Sequence, residues 1–403
     1  MTDSLRFAAR MESIKASEIR ELLKLTERPD MISFAGGLPN PKLFPVQALE
    51  SLSARVIRDC GRQALQYAAT EGYGPLRDKI ARRMNRKLDV NVTAANLLIT
   101  SGSQQGLDLT GKAFLDEGDV VLCESPSYLG AIQAFTPYRP TFIEVDTDSD
   151  GMNPDHLRQL LQTVRNVKLI YVVPDFQNPT GRCWSRERRE RLVRLADEFN
   201  VIVVEDHPYG DLRFEGEPQP SVLSFDREGR VVHLGTFSKT FCPGYRIGWT
   251  AASPEVLNKY VLLKQATDLH TSNVGQRVID SYLEENDLEN DIAAITDVYR
   301  RQRDVMFESL AEHMPEGVSY EKPSGGLFAW VELPEGMDAR KLLVRSLEEN
   351  VAFVPGGAFY PNGGRENAMR LNFSTMDEPR IREGIRRLAG VVRAAAAGIG
   401  SGA

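Results

Sequence analysis

From about Val92 to Ala252 the chain repeats one pattern, a short apolar run of strand length followed by an amphipathic stretch of helical period. The apolar runs fall at Leu97 to Thr100, Val120 to Glu124, Thr141 to Val145, Lys168 to Val173, Val201 to Glu205, Val231 to Gly235 and Ile247 to Ala251. Strands that are apolar on both sides belong to a sheet covered on both faces, and intervening helices favour parallel pairing. The expected fold class is therefore α/β, with a seven-stranded, mostly parallel sheet sandwiched by helices. Beyond it, Pro254 to Asp268 and a long run from Asn273 to Met314 read as helices. Strand-like runs at Val318 to Tyr320, Gly326 to Leu333, Ala352 to Val354 and Met369 to Phe373 then alternate with helices near Ala339 to Glu349 and Glu378 to Arg393. This predicts a large domain over 44–285, a smaller α/β domain over 286–403, and an N-terminal segment 1–43 associated with the smaller one. A chain of 403 residues is about right for that division. The small, glycine-rich tail from Ala394 is expected to fray.

Ligands of such sheets gather at the carboxyl ends of the strands. After Val231 to Leu234 comes Thr236-Phe237-Ser238-Lys239, with Pro243-Gly244-Tyr245-Arg246 downstream. A lysine amine carries covalent catalysis only if its pKa is lowered or if it is already held as a Schiff base. Pyridoxal 5'-phosphate provides the second and adds an electron sink. Ser238, Thr236 and Arg246 are then ligands of its phosphate, the arginine by forked charge-assisted bonds. The short string alone reads equally well as a surface Ser-Lys loop.

Three further strings bear on that choice. Asn178-Pro179-Thr180-Gly181 is a turn after a buried strand, which points the Asn178 side chain out at the sheet's carboxyl end. The strand Val201 to Val204 runs into Glu205-Asp206-His207-Pro208-Tyr209. Asp206 there suits a pyridinium nitrogen, and Tyr209 with Asn178 suits a phenolate oxygen. Leu97 to Thr100 leads into Ser101-Gly102-Ser103-Gln104-Gln105-Gly106, a helix start whose free N–H groups and dipole attract an anion. Each string taken singly has a plainer reading, as a turn, a capping Asp with a packed Tyr, and a common small-residue helix start.

In this order and spacing the strings resemble the fold type I, class I/II pyridoxal-phosphate aminotransferases over nearly the whole chain, and most closely the branch containing the 2-aminoadipate aminotransferases. The closer resemblance is carried by Ile19-Arg20-Glu21-Leu22-Leu23-Lys24, Ser33-Phe34-Ala35-Gly36-Gly37-Leu38-Pro39, Leu65-Gln66-Tyr67 and Thr70-Glu71-Gly72-Tyr73-Gly74-Pro75-Leu76-Arg77. Phe176-Gln177-Asn178-Pro179-Thr180-Gly181 and Asn350-Val351-Ala352-Phe353-Val354-Pro355-Gly356-Gly357 extend it.

The resemblance implies that Lys239 binds the cofactor covalently and then shuttles the proton at the substrate α-carbon. Asp206 would hold the ring nitrogen, Tyr209 and Asn178 the phenolate oxygen, and Tyr128 would stack on the ring. Ser103, the Gln104 backbone, Thr236, Ser238 and Arg246 would hold the phosphate, joined by Tyr67 from a neighbouring subunit of a homodimer with shared active sites. Arg370 would clamp the substrate α-carboxylate beside Gly37 and Asn178, and Arg20 would reach the distal carboxylate of dicarboxylic substrates. His207-Pro208 departs from the usual pattern, so the surroundings of Asp206 are expected to differ; His207 itself reads as a packed neighbour.

The implied reaction moves an α-amino group between an amino acid and a 2-oxo acid. Glutamate/2-oxoglutarate is the expected first couple, and an aminoadipate-like, aromatic, branched or specialised amino acid the second. The same scaffold also hosts lyases, oxidising enzymes and cyclising synthases, and occurs in effector-sensing regulators; the regulator reading is the less expected one, as no basic DNA-binding domain is expected ahead of the match that begins at about Ile14. Charged residues make up 26% of the chain with a formal net charge of −7, which argues against a nucleic-acid surface. The mixed run Arg186-Glu187-Arg188-Arg189-Glu190-Arg191 reads as a solvated helix face. Cys60, Cys123, Cys183 and Cys242 lack paired spacing, which fits reduced cytoplasmic thiols and no metal site, with Cys242 as an apolar filler. No signal peptide or membrane-spanning run is read in the sequence, and a cytoplasmic enzyme is expected.

Overall fold

The computed structural model describes residues 5–14, 28 and 30–400. The apolar runs form β1 (Leu97–Thr100), β2 (Val120–Glu124), β3 (Thr141–Val145), β4 (Val167–Val172), β5 (Ile202–Asp206), β6 (Val231–Thr236) and β7 (Gly248–Ala251). They pair in the order β1-β7-β6-β5-β4-β2-β3 as one seven-stranded sheet. β7 is antiparallel to both its neighbours and the other pairs are parallel.

Helices α1 (Val46–Ala64), α2 (Gly74–Leu88), α3 (Ser103–Phe114), α4 (Leu129–Phe135), α5 (Pro154–Thr163), α6 (Arg186–Phe199), α7 (Pro254–Thr267) and α8 (Asn273–Glu285) cover the sheet. Alternation along β4 shows why its run is continuously apolar. Leu169 and Tyr171 enter the apolar cluster that holds Leu107 and Leu109 of α3. Ile170 and Val172 point the other way, into the cluster with Leu157 of α5 and Leu192 of α6. Burying each such aliphatic side chain stabilises the fold by about 1.5–3 kcal/mol.

The later sequence forms a second, four-stranded antiparallel sheet. Its strands are β8 (Ser319–Tyr320), β9 (Phe328–Glu332), β10 (Val354–Pro355) and β11 (Ala368–Asn372), in the order β8-β9-β11-β10. Helices α9 (Leu288–His313), α10 (Ala339–Glu348) and α11 (Glu378–Gly400) accompany it. Residues 32–34 lie against this sheet: Ile32–Ser33 pairs in parallel with Val351–Ala352 as a separate two-stranded sheet, and Asn372 N–H of β11 donates to the Phe34 carbonyl at 2.8 Å. That pairing carries Ala35, Gly37 and Leu38 to the carboxyl edge of the large sheet.

Four expectations are corrected. The long helix from Asn273 is two helices, because Asn286 is extended and Asp287 caps α9, accepting from Glu289 N–H. The tail continues as helix to Gly400, since a run of alanines has the highest helix propensity and Ala395 packs on the core. The strand expected at Ala352 to Val354 is split at Phe353, one half pairing with Ile32–Ser33 and the other with β11. Finally, Arg189 is fully buried although its neighbours in the charged run are not. Its guanidinium bonds Asp175 at 2.9 and 3.0 Å and the carbonyls of Pro174, Trp184 and Pro220, which satisfies the donors that burial would otherwise strand. Among the described residues no helix is long and apolar enough to cross a membrane.

Candidate active site

The carboxyl ends of β1, β2, β4, β5 and β6 open on a cavity of about 400 Å³. Ser103, Gln104, Tyr128, Asn178, Asp206, Tyr209, Thr236, Ser238, Lys239 and Arg246 all line it, with Leu38, Val173, Pro208 and Pro243 between them. Parallel strands end at one edge, so loops far apart in sequence deliver these side chains to one place.

Lys239 Nζ donates to the Gly37 carbonyl at 2.8 Å and lies 6.0 Å from the centre of the Tyr209 ring. Burial, then the guanidinium charges of Arg370 and Arg246, lower its pKa to about 8, with Asp206 opposing. Asp206 ends β5 and is buried. Its Oδ2 accepts from the Tyr171 hydroxyl at 2.9 Å, whereas Oδ1 is buried without a partner. Burial raises the Asp206 carboxyl to about 6 against the lowering effect of that bond, His207 and Lys239.

Asn178 Nδ2 donates to the Tyr209 hydroxyl at 3.4 Å. Arg370 rises from the middle of β11, opposite Trp330 and Val354, and Nη1 donates to Asn178 Oδ1 at 2.9 Å. Nη2 donates to the Ala35 carbonyl at 2.7 Å and Nε has no partner. The guanidinium lies over the rings of Phe328 and Phe359, 4.3 and 5.2 Å from their centres. Burial lowers its pKa to about 10, and no carboxylate among the described residues offsets this.

The other end of the cavity is a cradle of donors. α3 begins at Ser103 with no side-chain cap, leaving its first N–H groups directed outward. Gly102 precedes it at φ +74, and a Cβ there would lie 2.4 Å from Arg246 Nη2. The Arg246 guanidinium reaches Ser238 Oγ and the Ser101 carbonyl, each at 3.5 Å. Thr236 Oγ1 donates to Ser238 Oγ at 2.9 Å and accepts from Ser238 N–H at 3.1 Å.

Tyr67, named from sequence as a phosphate ligand, does not line this cavity within its own chain. Tyr67 is 79% exposed and meets His270 edge-on at 6.0 Å. Arg20 lies outside the described residues. His207 points away from the cavity, its Nε2 3.3 Å from Asp175 Oδ2 and its ring 5.2 Å from that of His233. Cys242 is buried in an apolar cluster. Tyr171 is the residue that sequence reasoning missed. A tyrosine inside an apolar strand is itself a signal, because its buried hydroxyl needs a partner.

A model of the family described as aminotransferase class I and II matches residues 36–388. The chain belongs to that family. It is 46% identical to the 2-aminoadipate transaminase of Thermus thermophilus, covering 93% of each chain. To the aromatic-amino-acid aminotransferase 1 of Thermococcus litoralis it is 44% identical, covering 96% of this chain and 94% of the relative. Among solved structures, the α-aminoadipate aminotransferase LysN from Thermus thermophilus, complexed with N-(5'-phosphopyridoxyl)-L-leucine, superposes with a TM-score of 0.91 at 43% identity, covering 97% and 98% of the two chains. The chain is thus a pyridoxal-phosphate-dependent aminotransferase acting on amino and 2-oxo acids. Its cavity suits that cofactor: the orphaned Asp206 Oδ1 is an acceptor for a ring N–H, and the Gly102–Arg246 cradle gathers donors as a phosphate requires.

Proposed function

We propose that this aminotransferase pairs glutamate and 2-oxoglutarate with a larger amino acid, aminoadipate-like, aromatic, branched or specialised, and its 2-oxo acid. The observation that carries the reading is Arg370, a buried guanidinium beside Lys239 with a free Nε and no carboxylate to pair with among the described residues. A substrate α-carboxylate relieves that isolation with forked bonds. The names of the relatives, 2-aminoadipate and aromatic, and the leucine adduct bound by the Thermus structure support the breadth of the second couple.

When bound, pyridoxal phosphate supplies an aldehyde for the amino group and a ring that takes up the electrons of the broken Cα–H bond. The residues of the chain do the rest. Lys239 would hold the cofactor covalently and would carry the proton at Cα through its Nζ. Asp206 Oδ1 would accept from the ring nitrogen, Tyr209 and Asn178 would donate to the phenolate oxygen, and Tyr128 would cover the ring. Ser103, the Gln104 N–H, Thr236, Ser238 and Arg246 would bind the phosphate. Arg370, with Asn178 and the Gly37 segment, fixes the α-carboxylate so that the Cα–H bond faces Lys239, which favours proton removal over decarboxylation.

Arg20 is assigned to the distal carboxylate on the match of residues 19–24. The chain is proposed to work as a homodimer in which Tyr67 completes the partner's phosphate site. The proposed division is a large domain 44–285 and a small domain 286–403 with segment 1–43 attached to it. Four unpaired cysteines support a reducing, cytoplasmic setting.

Titrating the yellow enzyme with a panel of amino acids tests the substrate reading. Glutamate and at least one larger amino acid should bleach the visible band, and 2-oxoglutarate should restore it. A glutamate that leaves the band unchanged overturns the assignment of the first couple. Arg20→Ala should raise the KM for 2-oxoglutarate while sparing an aromatic substrate, and an unchanged KM removes Arg20 from the site.

A further inference from the structure

We propose that Tyr171 is the positioning residue that fixes the Asp206 carboxylate and, through it, the grip on the cofactor's ring nitrogen. The inference rests on the reading of Asp206 as the partner of that nitrogen and adds the residue that orients it.

β4 and β5 are parallel, with Tyr171 in register opposite Val204. Residues two apart on a strand share a face, so Asp206 lies one pleat beyond Val204 on the same side as Tyr171. The phenol spans that step and its hydroxyl donates to Asp206 Oδ2 at 2.9 Å. Tyr171 is 1% exposed and its ring is held edge-on against Phe135, centres 6.1 Å apart, so the hydroxyl has a fixed position. Neighbouring cations do not replace it. His207 turns its Nε2 to Asp175, and Lys239 Nζ is bonded to the Gly37 carbonyl.

A carboxylate has two equivalent oxygens and a soft terminal torsion. One donor rooted in the sheet removes the equivalence: Oδ2 is engaged, and Oδ1 is left partnerless on a residue that lines the cavity. The site is thereby built before the cofactor arrives, and less ordering remains to be done on binding. Burial keeps the Tyr171 phenol far above its ordinary pKa, so it remains a donor at working pH.

The test uses the full-length chain freed of cofactor, with two probes: pyridoxal phosphate and its analogue carrying carbon in place of the ring nitrogen. Tyr171→Phe keeps the ring against Phe135 and removes only the hydroxyl, and melting of the cofactor-free protein checks that it folds. The variant should bind pyridoxal phosphate roughly tenfold or more weakly, the worth of a hydrogen bond to a charged group, and the analogue with little change. Equal weakening of both probes, or of neither, overturns the proposal. Asp206→Asn separates this from a failure of the underlying reading: it should itself erase the preference for the nitrogen-containing probe, and adding Tyr171→Phe to it should cost nothing more. If Asp206→Asn keeps the wild-type preference, Asp206 is not the ring partner. If Asp206→Asn loses the preference and Tyr171→Phe keeps it, Tyr171 alone is misassigned.

Discussion

Lys239 and Arg370 are cations set in a wall where neither is hydrogen-bonded to a carboxylate, and the consequences differ because their intrinsic basicities differ. Arg370 stays charged at any working pH, whereas Lys239, lowered to about 8 by burial and then by Arg370 and Arg246, crosses from ammonium to amine near neutrality. Only the neutral amine attacks the cofactor's aldehyde. The rate at which the cofactor-free enzyme takes up pyridoxal phosphate should therefore rise with pH to a plateau, with a midpoint near 8, well below the 10.5 of an ordinary lysine. Removing a positive neighbour stabilises the ammonium form, so Arg370→Met should move that midpoint upward; stopped-flow growth of the visible band reads both. Lys239→Ala should retain the fold, as judged by circular dichroism, and lower transamination by roughly 10²–10⁴-fold or more, the usual contribution of a positioned proton carrier. Full activity in that variant removes Lys239 from its assigned role.

The start of α3 shows how a helix end becomes part of a site. Gly102 holds a positive φ and leaves the space that Arg246 occupies. Gly102→Ala meets both obstacles, a left-handed backbone and a contact at 2.4 Å, and should displace the guanidinium from the cradle. Affinity for pyridoxal phosphate should fall while affinity for pyridoxal, which lacks the phosphate, stays close to wild type; equal loss for both argues for a general distortion. The strands and the residues at their ends could be read from sequence because each is a local pattern, an apolar run followed by a polar string. Arg189 and Tyr171 could not be placed that way. Whether an arginine in a charged helical run faces water or a buried Asp175 depends on which face the sheet covers, and the reach of Tyr171 to Asp206 depends on the register of β4 against β5. The break between α8 and α9 did have a local sign in Asn286-Asp287, outweighed by the long amphipathic period around it.

Tyr67 poses a question that one chain does not answer internally. It is 79% exposed, close to the also exposed Leu65 and against His270, and it does not line the cavity of its own chain. An exposed aromatic beside an exposed leucine is suited to burial by a second copy, and in a two-fold dimer each subunit presents the same surface to the other. If Tyr67 completes the partner's phosphate site, the defects of two inactive variants should complement. Lys239→Ala lacks the covalent anchor but carries an intact Tyr67, and Tyr67→Ala lacks the phosphate ligand but carries an intact Lys239. In a mixed dimer one site receives Lys239 from one subunit and Tyr67 from the other and is whole, whereas the second site lacks both. Random exchange at equal concentrations makes half the dimers mixed, so activity at limiting cofactor should recover to about a quarter of wild type from two weak parents. Sedimentation must show a dimer throughout. Activity that remains the average of the two parents after subunit exchange, or a monomer in sedimentation, places Tyr67 outside the active site and makes each chain self-sufficient.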